Sequence, residues 1–278
     1  MHKIDDWEIR MAILKRFQHQ DVEGFRVGRF DLGINTSFII YRFGGTVFDT
    51  ASTNQWKYVK PFIEEKPLKQ LILTHHHEDH SGNAGNIQRL TGVTPFAPAI
   101  TADILKRGFK IPPVQRILWG TASKANAQPL PATMSLESGE AIEPLFAPGH
   151  AKDMTCYLLP ERGWLLSADL YLANHLKMLR SDEYVPQIID STHKILQRDF
   201  ETILCPHRGI VEDAKARLTE KYDYLMDLSG KAQALQQQGD DLDRITQKLL
   251  GKDPWLSALN NHNFCRRNLI ASCLDVSL

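Results

Sequence analysis

The chain has 278 residues, 42% of them hydrophobic, which supports a large packed core and excludes a disordered chain. Lys+Arg and Asp+Glu number 33 each, so the net charge is zero and a broad nucleic-acid-binding face is not favoured. The four cysteines (Cys156, Cys205, Cys265, Cys273) form no CxxC pair, Met1 to Gln20 has no apolar segment, and no apolar run reaches membrane-spanning length; these features point to reduced, packed thiols in a cytoplasmic protein without a membrane partner.

In chain order, Gly24 to Gly33 alternates loosely, with Phe25, Val27 and Phe30 apolar. Ser37 to Tyr41 is a β-rich run, Gly44-Gly45 marks a turn, and Thr46 to Phe48 follows, so a β-meander is expected with Asp49 at a strand end. Asn54 to Glu65 places Trp56, Val59, Phe62 and Ile63 at helical spacing. Leu68 to Leu73 reads as a short buried strand, and Asn83 to Leu90 as the next helix. Thr101 to Leu136 mixes basic residues with Phe109, Trp119 and prolines, and reads as an irregular or helical insertion. Ala141 to Phe146, Thr155 to Leu159 and Trp164 to Ser167 form a second set of strands; Asp182 to Gln197 is a helix and Thr202 to Cys205 a strand. The expected division is a catalytic domain over 1–210 and a helical C-terminal region over 211–278, punctuated by Gly230, Gly239 and Gly251, with Leu218, Tyr222, Leu225 and Leu228 on one face.

The chemistry concentrates in His75-His76-His77-Glu78-Asp79-His80, directly after a buried strand. Imidazole and carboxylate are the usual ligands of zinc and similar divalent ions. In an extended segment His75 and His77 point the same way and can share one metal, while Asp79 and His80, at the turn into a helix, can face a second. Ser81-Gly82 supplies the tight turn, and His76 and Glu78 face away. His150, Asp169 and His207 each follow a predicted strand, where active sites of layered α/β folds collect. His2, His19, His193 and His262 read as surface residues.

This ordered set (Asp49; His75-x-His77-x-Asp79-His80; His150; Asp169; His207) resembles the metallo-β-lactamase superfamily over roughly Gly24 to Gly209. The resemblance implies an α/β fold, a four-layer αββα sandwich with metals at one edge. It assigns His75, His77 and His150 to a first metal, Asp79, His80 and His207 to a second, and Asp169 to a bridge between them. Asp49 would orient a ligand histidine from behind. The two divalent ions, zinc with iron or manganese as alternatives, would hold a bridging hydroxide that attacks an electrophilic carbonyl or phosphorus, with Asp79 accepting a proton. His175, Lys177 and Arg180 follow Asp169, where the family often places substrate contacts.

The ligand set looks like the glyoxalase II and ribonuclease-type branch, and the tail resembles that of the β-lactamase-like-protein-2 group. The leading expectation is hydrolysis of a small-molecule thioester, ester or lactone. The alternative is phosphodiester cleavage of RNA, favoured by the tail and the basic Lys106 to Lys124 stretch. A di-iron redox or non-catalytic scaffold ranks below both, because no flavin-binding segment follows His207. The tail has three open roles: a cap on the site, a homodimer contact, or plain core packing.

Overall fold

The computed structural model describes residues 13–29, 36–111, 113–254, 257 and 263–278. Phe30 and Gly33, which close the first predicted strand, lie outside these residues, as do His2 and His262. The first sheet runs in chain order through β1 (Ile13–His19), β2 (Val22–Gly28), β3 (Ser37–Phe43), β4 (Thr46–Phe48), β5 (Gln70–Ile72), β6 (Phe96–Ala97) and β7 (Gln128–Pro129). β2 to β4 are the expected antiparallel meander, and β1, which the sequence did not show, extends it by one strand; from β4 to β7 the pairing is parallel. The second sheet contains β8 (Met134–Ser135), β9 (Ala141–Phe146), β10 (Thr155–Leu159), β11 (Trp164–Leu166), β13 (Thr202–Cys205) and β14 (Gly209–Val211), with β11 and β13 side by side and parallel. A separate two-stranded ladder pairs β12 (Leu179–Arg180) with β15 (Phe264–Cys265).

The period-two alternation of strand side chains builds the layers. Phe38 and Ile40 of β3 face Val59, Phe62 and Ile63 of helix α1 (Trp56–Glu64). Ile39, Tyr41 and Phe43 point the other way and meet Tyr157, Leu159, Trp164 and Leu204 between the sheets. On the far side of the second sheet, Cys156, Leu158, Leu165 and Ile203 pack on Ile195 and Leu218 of two further helices. The result is the expected αββα sandwich. The outer helices are α3 (Ala84–Thr91) and α4 (Ala99–Arg107) beside α1, and α6 (Val185–Leu196) and α7 (Ala214–Gln237) on the other face; α2 is the short Glu78–Ser81 turn of helix.

The hard-to-read Thr101 to Leu136 stretch resolves into α4, α5 (Pro113–Trp119), β7 and β8. The helix expected from Asp182 begins only at Val185, with Pro186 in its first turn. The C-terminal helices α7, α8 (Leu242–Leu250) and α9 (Arg266–Cys273) share a core with α6, including Ile188, Leu225, Leu228, Ile245 and Leu269. Gly239 and Gly251 end α7 and α8 with positive φ as expected, but Gly230 lies inside the 24-residue α7, where the surrounding helix formers outweigh one glycine. All four cysteines are free and buried. No helix among the described residues is long and apolar enough to cross a membrane.

One charged side chain is buried in the first helical layer. Arg42, 1% exposed, donates from Nη2 to the carbonyls of Phe62 (2.9 Å) and Ile63 (3.2 Å) and from Nη1 to that of Lys66 (3.2 Å). The first two are carbonyls of the last turn of α1, and the third lies just beyond its end. Arg42→Ala is expected to lower the unfolding free energy by about 3 kcal/mol, measured by urea denaturation, since it strands these acceptors in the core. A loss within experimental error would show that water replaces the guanidinium.

Candidate metal centre

The site lies where the carboxyl ends of β5 and β11 and the loops after β9 and β13 meet. Hydrogen bonds within the His-rich loop set its shape. Asp49, just after β4, has a positive φ of 58°, and Ala51 one of 55°. This strained segment is clamped by buried Asn83, whose Nδ2 lies within 3.1 Å of the carbonyls of Thr50, Ala51 and Ser52. Gly82 acts differently from expectation. Its φ of −51° is helical, and its role is closeness, because a Cβ there would lie 2.2 Å from the Glu78 carbonyl and 2.9 Å from that of Ala51. Gly149 has φ +131°, and a Cβ would meet the Ile188 nitrogen at 2.5 Å, so glycine is required immediately before His150.

The structure brings all seven predicted ligands together. Ligand atoms of His75, His77 and His150 lie within 4.8 Å of one another, and so do those of Asp79, His80 and His207. Asp169 lies between the two groups: its Oδ2 is 3.1 Å from His150 Nε2, and its Oδ1 is 3.1 Å from His80 Nε2 and 3.4 Å from His207 Nε2. It stands in a turn (Ala168–Leu170) after β11, not at the strand end. Asp79 Oδ2 is 3.6 Å from His207 Nε2. His75, His80 and His207 are buried, and Asp79 is the most exposed of the seven, at 15% of its side chain.

The outward-facing ring nitrogens are held from behind. Asp49 Oδ2 accepts from His80 Nδ1 at 2.9 Å and from the Thr74 hydroxyl at 2.9 Å; that hydroxyl in turn accepts from His75 Nδ1 at 3.0 Å. The Ser37 carbonyl accepts from His207 Nδ1 at 2.9 Å. His150 Nδ1 donates to Glu183, whose other oxygen accepts the Arg180 backbone N–H at 2.9 Å. These bonds hold the Nδ1 side of His75, His80, His150 and His207 outward and aim Nε2 of each into the cluster, where His77 presents Nδ1 instead. The Nε2 atoms of His80 and His207 and Oδ1 of Asp169 are buried without a hydrogen-bond partner, as expected of atoms that wait for a cation. The donor set therefore fits divalent metal ions.

Electrostatics divide the histidines. Burial, reinforced by neighbouring imidazoles, holds His75 and His77 well below the usual histidine range, hence neutral. Burial acts on His80 and His150 too, but the surrounding carboxylates outweigh it, Asp169 foremost, and raise His80 well above that range and His150 to about 9. Asp169 is pushed far down despite burial, by His80, His207 and His150.

The remaining predicted residues are placed as follows. His76 pairs with buried Asp153 (2.8 Å), which also accepts the His76 backbone N–H and the Thr101 hydroxyl. Glu78 is buried. Arg180 is half-buried, its guanidinium bonded twice to Asp182 at 3.0 Å. His175 is exposed, 3.3 Å from Glu220 and with its ring tilted against that of Tyr224 of α7 (centroids 4.6 Å apart); Lys177 is exposed. Sequence reasoning missed Thr74, Asp153 and Glu183, the polar residues that brace the histidine loop and His150.

A buried cage of histidines and carboxylates at the edge of an αββα sandwich defines a metal-dependent hydrolase. The metallo-beta-lactamase superfamily model matches residues 29–218, and the chain belongs to that superfamily. Among solved structures, a metallo-beta-lactamase family protein from Thermus thermophilus is 17% identical, with TM-score 0.61 over 95% of this chain and 91% of that one. A metallo-beta-lactamase from Pontibacter korlensis is 17% identical (TM-score 0.58; 76% and 98% covered). The FIM-1 enzyme from Pseudomonas aeruginosa in its mono-zinc form is also 17% identical (TM-score 0.55; 77% and 96%). At these identities the likeness is one of fold. No curated protein matches the sequence significantly.

Two outcomes are expected. Glu183→Ala should weaken zinc binding about 10- to 100-fold in a chelator competition, because His150 loses the partner that orients it; unchanged affinity would remove that role. The proton on His150 competes with a metal ion up to a pH of about 9, so zinc affinity should rise with pH between 6.5 and 9. Zinc binding should release protons in that window, read by calorimetry in buffers of different ionisation enthalpy. Binding that takes up no protons from, and gives none to, the buffer would contradict it.

Proposed function

We propose that this chain is a two-metal hydrolase, with zinc as the native ion, acting on a small molecule with an ester-like carbonyl: a thioester, ester or lactone. The observation that carries the two-metal reading is Asp169, whose two oxygens face separate ligand groups. Two divalent ions held there would supply Lewis-acid polarisation of the carbonyl oxygen and lower the pKa of water toward neutrality.

The chain's own residues do the rest. Asp169 fixes the spacing of the two groups. Asp49, through His80, and Glu183, through His150, keep the ring nitrogens aimed inward. Asp79, the most exposed of the cluster carboxylates, is placed to take a proton from the attacking water. An uncharged carbonyl substrate is favoured over a phosphodiester because Arg180, on the strand leading to this site, has its guanidinium committed to Asp182. Phe109, stacked edge-on against His76 at 5.3 Å, offers an apolar contact beside the histidine loop.

The test is a panel of a thioester, a lactone and single-stranded RNA, assayed before and after dialysis against a chelator. Turnover of a carbonyl substrate that vanishes on chelation and returns with zinc is expected. Asp79→Asn should lower kcat by about 100-fold or more. RNA cleavage without ester turnover would reverse the choice of substrate, and full activity in metal-free protein would end the metal reading.

A further inference from the structure

Helix α7 carries an apolar stripe, Leu218, Leu225, Leu228 and Ala232, that packs into the core. Lys221 occupies a position of that same stripe, three residues after Leu218 and four before Leu225, and is 2% exposed. A buried ammonium is costly, and an apolar side chain of similar length would fill the space without that cost. Its Nζ donates to the carbonyl of Leu170, the residue directly after Asp169. Burial lowers its ammonium to about 8, which leaves it protonated, and a donor, at neutral pH.

The turn that Lys221 grips is under strain. Ala168 has φ +44°, a left-handed conformation that a residue with a Cβ adopts at a cost. The other side-chain donors to this turn are the neutral Ser167 hydroxyl, to the Ala168 carbonyl (3.0 Å), and two thiols, Cys156 Sγ to the Ser167 carbonyl (3.1 Å) and Cys205 Sγ to that of Tyr171 (3.0 Å). Thiols are weak donors. The backbone adds Leu170 N–H to Ser167 (3.0 Å) and Ser167 N–H to Leu204 (3.3 Å). The charged donor among these is Lys221, and a charge-assisted bond is the strong one.

We propose that Lys221 is a positioning residue: from α7 it holds the strained Ala168–Leu170 turn, and through it keeps the Asp169 carboxylate between the two groups of metal ligands. The proposal rests on the two-metal reading. It gives the C-terminal region a task at the site, reached through the backbone of residue 170 and not through contact with substrate.

The experiment uses the full chain, wild type, Lys221→Met and Lys221→Gln, stripped of metal and titrated with cobalt(II), with the visible ligand-field spectrum as readout and the melting temperature of the metal-free protein as control. Wild type should take up two ions per chain. Lys221→Met, which keeps length and loses the charge, should bind the second ion about 10- to 100-fold more weakly and with an altered spectrum. Its metal-free melting temperature should change little, because removing the buried charge offsets the unpaired Leu170 carbonyl. A merely structural lysine would instead lower the melting temperature and leave the spectrum of bound cobalt unchanged. Two ions in wild type with identical affinity and spectrum in Lys221→Met would overturn the proposal alone. A single ion in wild type would overturn the two-metal reading and the proposal with it. If Lys221→Met does not fold, Lys221→Gln decides: a folded Gln variant with wild-type cobalt affinity and spectrum overturns the proposal, and weakened second-ion binding supports it.

Discussion

The position of one carboxylate governs this molecule's chemistry. Asp169 is buried with an imidazole on each of its sides, His150 at one oxygen and His80 with His207 at the other. Burial alone would push a carboxyl toward its neutral form; three histidines reverse that and hold it ionised. Those histidines come from different parts of the chain: a short helix after β5, the loop after β9, and the loop after β13. The sandwich brings these loops to one edge because β11 and β13 are parallel neighbours and the loop after β5 reaches across from the other sheet. A shift of register in any of these strands would separate the donors.

Around that carboxylate, two kinds of histidine are prepared in advance. His75 and His77 are neutral and need shed no proton to bind a cation. His80 and His150 hold protons against surrounding carboxylates until a cation takes their place. The carboxylates around His80 and His150, Asp169 foremost, are therefore faced by histidine protons. A cation binding to these two rings would have to displace those protons.

The ligands were legible in the sequence because metal chemistry restricts residue type and the strand ends were readable. Thr202 to Cys205 and Ala141 to Phe146 form strands with the expected bounds, and their short apolar-rich runs between polar and turn residues are the reason. Of the residues behind these histidines, Asp49 was named by the family resemblance, and the others were not legible. Glu183 sits in a short polar run with Ser181 and Asp182, and only the fold turns it toward His150. Asp153 reads as an ordinary loop acid until its partners Thr101 and His76 converge on it. His175 illustrates the converse: proximity to Asp169 in sequence suggested a substrate contact, whereas its ring lies on Tyr224 of α7. Lys221 did leave a signal, a lysine on the apolar stripe of α7. It was hidden because Tyr222, one residue on, also suits that face.

The change of sequence character at Val211 therefore does not mark where the site ends. From β15, the pairing Arg180↔Phe264 and the Ser181 N–H to the Asn263 carbonyl (2.8 Å) fix the segment before α6. Ser272 of α9 accepts the Val185 N–H at 2.7 Å, and Asn268 donates to the Leu179 carbonyl at 3.2 Å. Between these anchors stands Glu183, bonded to His150. The tail thus bounds the freedom of a ligand histidine by short-range hydrogen bonds, while its apolar face is consumed by α6 in a shared core. A region that merely capped the cleft would need no such bonds, and one built only for association would leave that face open. The hydrogen bonds tie the last helix to the segment that holds His150 of the candidate site, so the tail's packing and the geometry of the site are parts of one folding problem.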